Sequence, residues 1–500
     1  LSLVNKLIRG ASTNVLEHGL KMVVMFVTTP LMIRCLGKEG YGTWLLAGAI
    51  IAYFRLLDLG VSFAGSRFLG TALGADDREE YRSLVCHLFR FFTRLGMATL
   101  VLTLVAVWAL PFFIKDGDTA STVRILVAGL GATTALRFFT RIYEVVLKSH
   151  VRYDLIGISS ILKTILQAGL IIALLLMGHG LVVLLVAHVV IDVFDQLLMV
   201  YFARGVEKDL RLRGAEKEGS GAAELIRYSA TAMVTNAGNS LRQGMDPMII
   251  THVSGLASLP PYMVGTRLLG VFSDIINAIF GGGLIAAFSQ LYGRGDTEAL
   301  NQRFLQAIRW STVLATLGGC GLVLFGPAFI LRWVGAGFMV SGDVMLILAP
   351  VTALSLCQYP VWSLFYSQNK QQWLAALTLG GGIFNLILSL LLASQWGWMG
   401  VVWATCVEMA LAYGFGFPWL VARNGVPVGR YFREIFVPAA EILAASTLYW
   451  IAVRMWILPA YDRLFLLAMG YLAVMAVVIW CLVFSAAERM QVRKMISGLR

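Results

Sequence analysis

The chain has little with which to do covalent chemistry. Its six cysteines, Cys35, Cys86, Cys320, Cys357, Cys406 and Cys481, are scattered along 500 residues with no Cys-x-x-Cys among them, which argues against a disulfide framework or a zinc site. The six histidines, His18, His87, His150, His179, His188 and His252, are isolated from one another, and no His-x-x-x-His or Cys/His cluster is legible. There is no Gly-x-x-x-x-Gly-Lys-[Ser/Thr], which excludes nucleotide hydrolysis by the P-loop route, and no Gly-x-Ser-x-Gly nucleophile turn. Nothing in the chain calls for a cofactor or a metal, and none is expected.

What is present is apolar length. Hydrophobic residues make up 58% of the chain and the mean hydropathy is +0.78, far outside soluble composition. A helix needs about 20 apolar residues to cross the hydrocarbon core. Fourteen runs meet that requirement, at 12–33, 42–60, 88–114, 124–146, 156–178, 181–203, 226–253, 262–288, 305–331, 344–366, 374–394, 400–421, 437–458 and 464–485. The expectation is an all-α polytopic membrane protein of about 14 transmembrane helices, with loops too short for a soluble catalytic domain. The first run is full length and lacks a small-residue cleavage site after it, so it reads as a retained anchor.

The net charge of +12 does not point to nucleic acid, because its placement follows the membrane. About 26 of the basic residues fall at one set of helix ends, among them Arg78, Arg82, Arg204, Arg211, Arg423, Arg433 and Arg493, and about 6 at the other. The positive-inside rule then puts both termini in the cytoplasm, where the basic rims also meet anionic lipid. Reporter fusions should therefore place Arg211, Arg294 and Arg493 inside and Asp118, Ser258 and Asp343 outside. Arg211 and Asp118 reporting the same side would overturn the helix count. Tryptophans near helix ends, such as Trp108, Trp396 and Trp456, read as interfacial anchors.

The two halves resemble each other. A shift of 221 places Lys21 on Arg242 and Tyr41 on Tyr262, and a shift of 219 places Gly74, Asp77, Glu79 and Arg90 on Gly293, Asp296, Glu298 and Arg309. Six helices per repeat is an even number, so both repeats enter from the same side and relate by an axis along the membrane normal. The expected organisation is two pseudo-symmetric six-helix lobes, 1–203 and 226–421, joined by a cytoplasmic linker at 204–225. Helices 13 and 14 with a tail, 422–500, lie outside the repeat.

The informative residues are ionisable groups inside the apolar runs. A central charge costs about 2.5–3.5 kcal/mol, so these groups must line a hydrated cavity or pair with one another. Local pairing at one helical turn accounts for Glu17 with Lys21, Arg55 with Asp58, Arg141 with Glu144 and Arg242 with Asp246. Arg137, Lys163 and Arg267 have no acid nearby in sequence. Most of these bases fall on the first, second, fourth, fifth, seventh and eighth helices. If two bundles face each other, Lys21, Arg55, Arg137, Arg141, Lys163, Arg242 and Arg267, with Asp246, would form a cavity for an anionic cargo. Asp192 and Asp195, at i,i+3 with no base beside them in sequence, are candidates to bind Na⁺ or share a proton, with Asp274 as a third. Hydrogen bonding to neighbouring helices is the alternative for the aspartate pair.

The run Leu36-Gly37-Lys38-Glu39-Gly40-Tyr41-Gly42-Thr43-Trp44, the run Leu56-Leu57-Asp58-Leu59-Gly60 followed by Arg67, and Asp246-Pro247-Met248-Ile249-Ile250 through Tyr262 and Arg267-Leu268-Leu269 resemble the polysaccharide flippases of the multidrug/oligosaccharidyl-lipid/polysaccharide exporter superfamily. One departure is Ala286-Ala287-Phe288-Ser289-Gln290, where family members often carry a proline near the end of the eighth helix. The resemblance implies two lobes around a cavity that opens alternately to each side, and no enzymatic activity. The implied cargo is an undecaprenyl-pyrophosphate-linked oligosaccharide, moved from the cytoplasmic to the outer leaflet. A polysaccharide polymerase is an implied partner, and helices 13 and 14 an implied groove for the lipid tail. A lipid II flippase and a cation-coupled drug antiporter of the same superfamily are the competing readings. An antiporter would want an acid-dominated cavity. A membrane glycosyltransferase or polymerase is disfavoured by the short outer loops.

Overall fold

The computed structural model describes residues 3–58, 60–113, 117–210, 212, 244–484 and 489–490. Helices joined by short turns make up these residues, with no strand among them. Twelve segments, from Leu16–Phe54 to Tyr461–Val483, are long and apolar enough to cross a membrane. The first contains two of the expected helices on either side of a kink, and the expected seventh lies largely outside the described residues. The twelve therefore correspond to thirteen of the fourteen runs, and the chain is an all-α, multi-pass membrane protein.

By compactness the chain divides into two units, Leu1–Pro260 and Pro261–Arg500. The first unit holds α1 (Leu3–Phe54), α2 (Val61–Gly74), α3 (Arg78–Phe113), α4 (Gly117–Ser149), α5 (Tyr153–Leu176), α6 (Leu181–Val206) and α7 (Asp246–Ser254). The closest packing is of α3 on α4, α1 on α5 and α4 on α6, while α7 and the short turn Leu256–Ser258 lie on α1. A core of Leu69, Leu88, Phe92, Ile142 and Leu147 joins α2, α3 and α4.

Two glycines of the Leu36–Trp44 run account for the path of α1. Gly37 has φ 71 and ψ 177, a backbone region open essentially to glycine alone, and here the first membrane helix turns into the second. At Gly42 a Cβ would stand 2.2 Å from the carbonyl oxygen of Leu256. Only a hydrogen lets α1 lie against that turn.

The internal duplication is visible in the turns. Residues with positive φ recur in pairs 218 or 219 residues apart: Gly37 and Gly255, Asp76 and Gly295, Val151 and Asn369, Gly178 and Gly397. Each marks the end of a helix, where a left-handed residue closes the last turn. This register agrees with the 219 shift of the sequence repeat but not with the 221 shift, since Gly37 and Gly255, near Tyr41 and Tyr262, are 218 apart. It extends the repeat to positions where the residues differ, as at Val151 and Asn369.

The second unit contains α8 (Leu259–Gly293), α9 (Thr297–Val334), α10 (Met339–Cys357), α11 (Tyr359–Ser367), α12 (Gln371–Trp396), α13 (Trp398–Leu411), α14 (Phe417–Arg423), α15 (Val428–Val453) and α16 (Tyr461–Val478). The α8 helix runs unbroken through 286–290. Asp296 caps α9 by accepting from the Ala299 N–H at 2.9 Å. The C-terminal helices, outside the repeat in sequence, are fastened to α9. Tyr431 stacks on Phe304, and Arg309 pairs with Glu434 at 3.2 Å. The Tyr431 hydroxyl donates to Gln358 at 2.7 Å, and Gln358 donates to the Tyr413 carbonyl at 2.7 Å.

Candidate substrate cavity

Within the first unit a polar cavity of about 370 Å³ opens between α1, α4, α5 and α6. Its lining follows helical periodicity. Arg137, Arg141 and Glu144 stand one turn apart on α4, as do Ser160, Lys163 and Gln167 on α5, and His188, Asp192 and Asp195 on α6. Spacings of three and four residues put each set on one face. α6 is apolar along most of its length (Leu181-Val182-Val183-Leu184-Leu185-Val186), so its charged residues gather on this one wall.

The cations of this cavity are already partnered. Lys163 bridges the aspartates of α6, paired with Asp192 and 3.5 Å from Asp195. Arg137 reaches Asp192 at 3.6 Å, and Ser159 donates to Asp195 at 2.7 Å. Arg141 pairs with Glu144 on its own helix and with Asp58 at 2.9 Å. Lys21 pairs with Glu17, which also accepts from Ser160. Thr140 donates to Gln196. Removing these charges from water is costly, and mutual attraction with satisfied hydrogen bonds offsets that cost.

Of the residues singled out in the sequence, the structure brings together Lys21, Arg137, Arg141 and Lys163 with Asp192 and Asp195. The local pairs Glu17–Lys21 and Arg141–Glu144 form as their spacing predicts. Asp58 is instead held by Arg141 and by the Ser62 hydroxyl at 2.7 Å. The side chain of Arg55 and the whole of Arg242 lie outside the described residues, and so does the Arg242–Asp246 pairing. Asp246 is buried at the start of α7. Arg267 and Asp274 are exposed on α8 of the second unit. The aspartate pair does have bases beside it, supplied by α4 and α5 rather than by neighbours in sequence. His188, Gln167, Thr140, Ser160 and Gln196 belong to the cavity without having been singled out. For His188 a signal existed, since it lies at i,i+4 from Asp192 on a helix with few other polar residues.

Among its described residues the second unit does not repeat this charge set, although Glu408 of α13 is buried there. In the register set by the turns, Lys163 falls on Gly381 or Gly382, His188 on Val407, Asp192 on Leu411 and Asp195 on Gly414. Arg137 falls on Ser355 or Leu356, and Glu144 on Trp362 or Ser363. Over its described part the same helical scaffold thus stands without these ion pairs.

Comparison with known proteins decides the family. Residues 31–343 match the family model described as "Polysaccharide biosynthesis protein", a span that runs from the Gly37 turn across the cavity into the second unit. The chain belongs to the polysaccharide biosynthesis protein family. A curated relative is the "Uncharacterized membrane protein EpsK" of Bacillus subtilis (strain 168), 23% identical over 469 residues that cover 87% of each chain. Among solved structures, the lipid II flippase MurJ in an inward closed conformation matches with TM-score 0.71 at 12% identity, over 95% of this chain and all of that one. An inward-facing multidrug resistance MATE transporter matches with TM-score 0.67 at 15% identity, over 82% and 96%. A Pyrococcus furiosus transporter of the same superfamily, described as having a binding pocket of reverse polarity, matches with TM-score 0.61 at 15% identity, over 85% and 96%. At these identities the structural matches establish the fold, which this chain shares with these solved proteins.

Proposed function

We propose that this member of the polysaccharide biosynthesis family is a flippase for an undecaprenyl-pyrophosphate-linked oligosaccharide, which it carries from the cytoplasmic to the outer leaflet of the bacterial inner membrane. The observation that carries this reading is the ion-paired cavity at membrane depth, whose charge set is not repeated among the described residues of the second unit. Such a cavity is costly to maintain in a bilayer and is by default functional. Its guanidinium and ammonium groups suit a pyrophosphate, which enters by displacing carboxylates from their cations and leaves when the pairs re-form. The two six-helix lobes, 1–203 and 226–421, would alternate access, with both termini in the cytoplasm. The position of Lys163, an ammonium against both aspartates, favours a proton over Na⁺ as coupling ion, because the ammonium fills the place a monovalent metal would take.

An apolar groove of about 660 Å³ in the second unit supports a lipid-linked cargo. It runs between α9, α10 and α15, lined by residues such as Val323, Leu346, Ala353, Phe436, Ala439 and Leu443, and fits an isoprenyl chain. Filling it with Ala439→Trp should reduce translocation of a long-chain isoprenyl cargo about tenfold and a short-chain one much less. Equal loss with both would remove the groove from the account.

Deleting the gene tests the reading as a whole. The complete lipid-linked repeat unit should accumulate on the cytoplasmic leaflet, because synthesis continues while translocation stops. A truncated glycan would indicate a glycosyltransferase, and intact surface polysaccharide with sensitivity to cationic drugs an antiporter. Intact polysaccharide in a strain with no second flippase would overturn the proposal.

A further inference from the structure

The charge of the first-unit cavity is balanced, and one lining residue is able to change it near neutral pH. Its walls carry four bases, Lys21, Arg137, Arg141 and Lys163, and four acids, Glu17, Glu144, Asp192 and Asp195. The ninth ionisable group is His188, whose side chain is about one-fifth exposed. An imidazole is the side chain whose ordinary titration falls between about pH 5 and 8.

The surroundings of His188 are built to hold it in place while it gains a proton. Its Nδ1 lies 2.6 Å from Nε2 of Gln167 on α5, and its Nε2 lies 3.5 Å from Asp192, one turn along α6. Trp44 of α1 packs edge-on against the ring at 5.9 Å between centroids. With the Gln167 amide N–H donating to Nδ1, the imidazole is neutral and keeps its proton on Nε2, toward Asp192. A half-turn of the amide presents its oxygen instead and accommodates a proton on Nδ1. The charged groups facing this wall are Lys163 from α5, Arg137, Arg141 and Glu144 from α4, Glu17 and Lys21 from α1, and Asp192 and Asp195 from α6 itself. Asp192 is the link, since Lys163 and Arg137 share it.

We infer that His188 is the pH switch for anion binding in the cavity: its protonation lets it compete for Asp192, frees Lys163 and Arg137, and raises the net charge from zero to one positive, so that an anionic headgroup binds. Loss of the proton returns Lys163 to the aspartates and expels the anion. This inference rests on the proposed cargo and deepens it, assigning the switch to the histidine instead of the aspartate pair. Val407 at the equivalent place in the second unit fits a role that belongs to the cavity and not to the scaffold.

The test is binding of a short isoprenyl-pyrophosphoryl monosaccharide to the full-length protein in nanodiscs, across about pH 5.5 to 8.5. The phosphates of this probe are diesters and do not titrate in that range. The wild-type protein should bind about tenfold more tightly at the acid end, as expected for one added charge near the ligand. His188→Gln should bind weakly with no pH dependence, and His188→Lys tightly with no pH dependence. A purely structural histidine would not yield opposite plateaus in the two variants. Pronounced pH dependence persisting in His188→Gln would overturn the inference and leave the cargo assignment standing. No binding by the wild type at any pH would overturn both.

Discussion

Replacing Lys163 with methionine is expected to destabilise the protein by about 3 kcal/mol and abolish translocation. The ammonium is the shared partner of Asp192 and Asp195, both buried among α4, α5 and α6. Without it two carboxylates face each other at membrane depth, with Arg137 the nearest remaining cation. Breaking a buried pair by removing one partner strands the other charge, and this dominates the cost. Thermal unfolding in detergent should show the loss. The triple variant Lys163→Met, Asp192→Asn, Asp195→Asn should recover most of the stability, because both buried carboxylates are gone and the cation that loses its partner, Arg137, is one-third exposed, yet remain inactive. Activity in the triple variant would mean that the ions serve folding alone.

Gly42→Leu is expected to have the second large effect, a loss of about 3 kcal/mol or more together with failure to accumulate in the membrane. A Cβ at this position would lie 2.2 Å from the Leu256 carbonyl oxygen and 3.0 Å from its carbon. These are backbone atoms, which a rotamer change does not move aside. Relief requires separating α1 from the Leu256–Ser258 turn. Gly48→Leu is a suitable control on the same helix, since nothing lies within 4 Å of a Cβ there. Equal accumulation of the two variants would contradict the packing of α1 on this turn.

The membrane runs and their order were legible in the sequence because a helix must stay apolar over the full hydrocarbon thickness. The Leu36–Trp44 run was legible as a motif, but its physical content, a left-handed Gly37 and a close approach at Gly42, required coordinates. Pairs within one helix, such as Glu17–Lys21, follow from 3.6-residue periodicity. Pairs between helices do not. Arg141 meets Asp58 across 83 positions of sequence, and Lys163 meets Asp192 only because α5 packs on α6. An excess of bases was the natural reading while the acids that meet them were unassigned. His188 is isolated from the other histidines in sequence, yet it lies one turn from Asp192 on an apolar helix. Arg267 and Asp274 carry the same intramembrane signal, yet they stand on α8, in the second unit.

The most direct measurement is translocation by the purified protein in proteoliposomes. The probe is a fluorescent isoprenyl-pyrophosphoryl oligosaccharide, and a membrane-impermeant quencher reports the leaflet it occupies. The wild-type protein is predicted to equilibrate the probe between leaflets, Arg137→Ala and Lys163→Met to leave it where it was loaded, and an uncharged isoprenyl saccharide not to move. Equal movement of the charged and uncharged probes, or full activity without Arg137 and Lys163, would contradict an ion-paired cavity that carries a pyrophosphate.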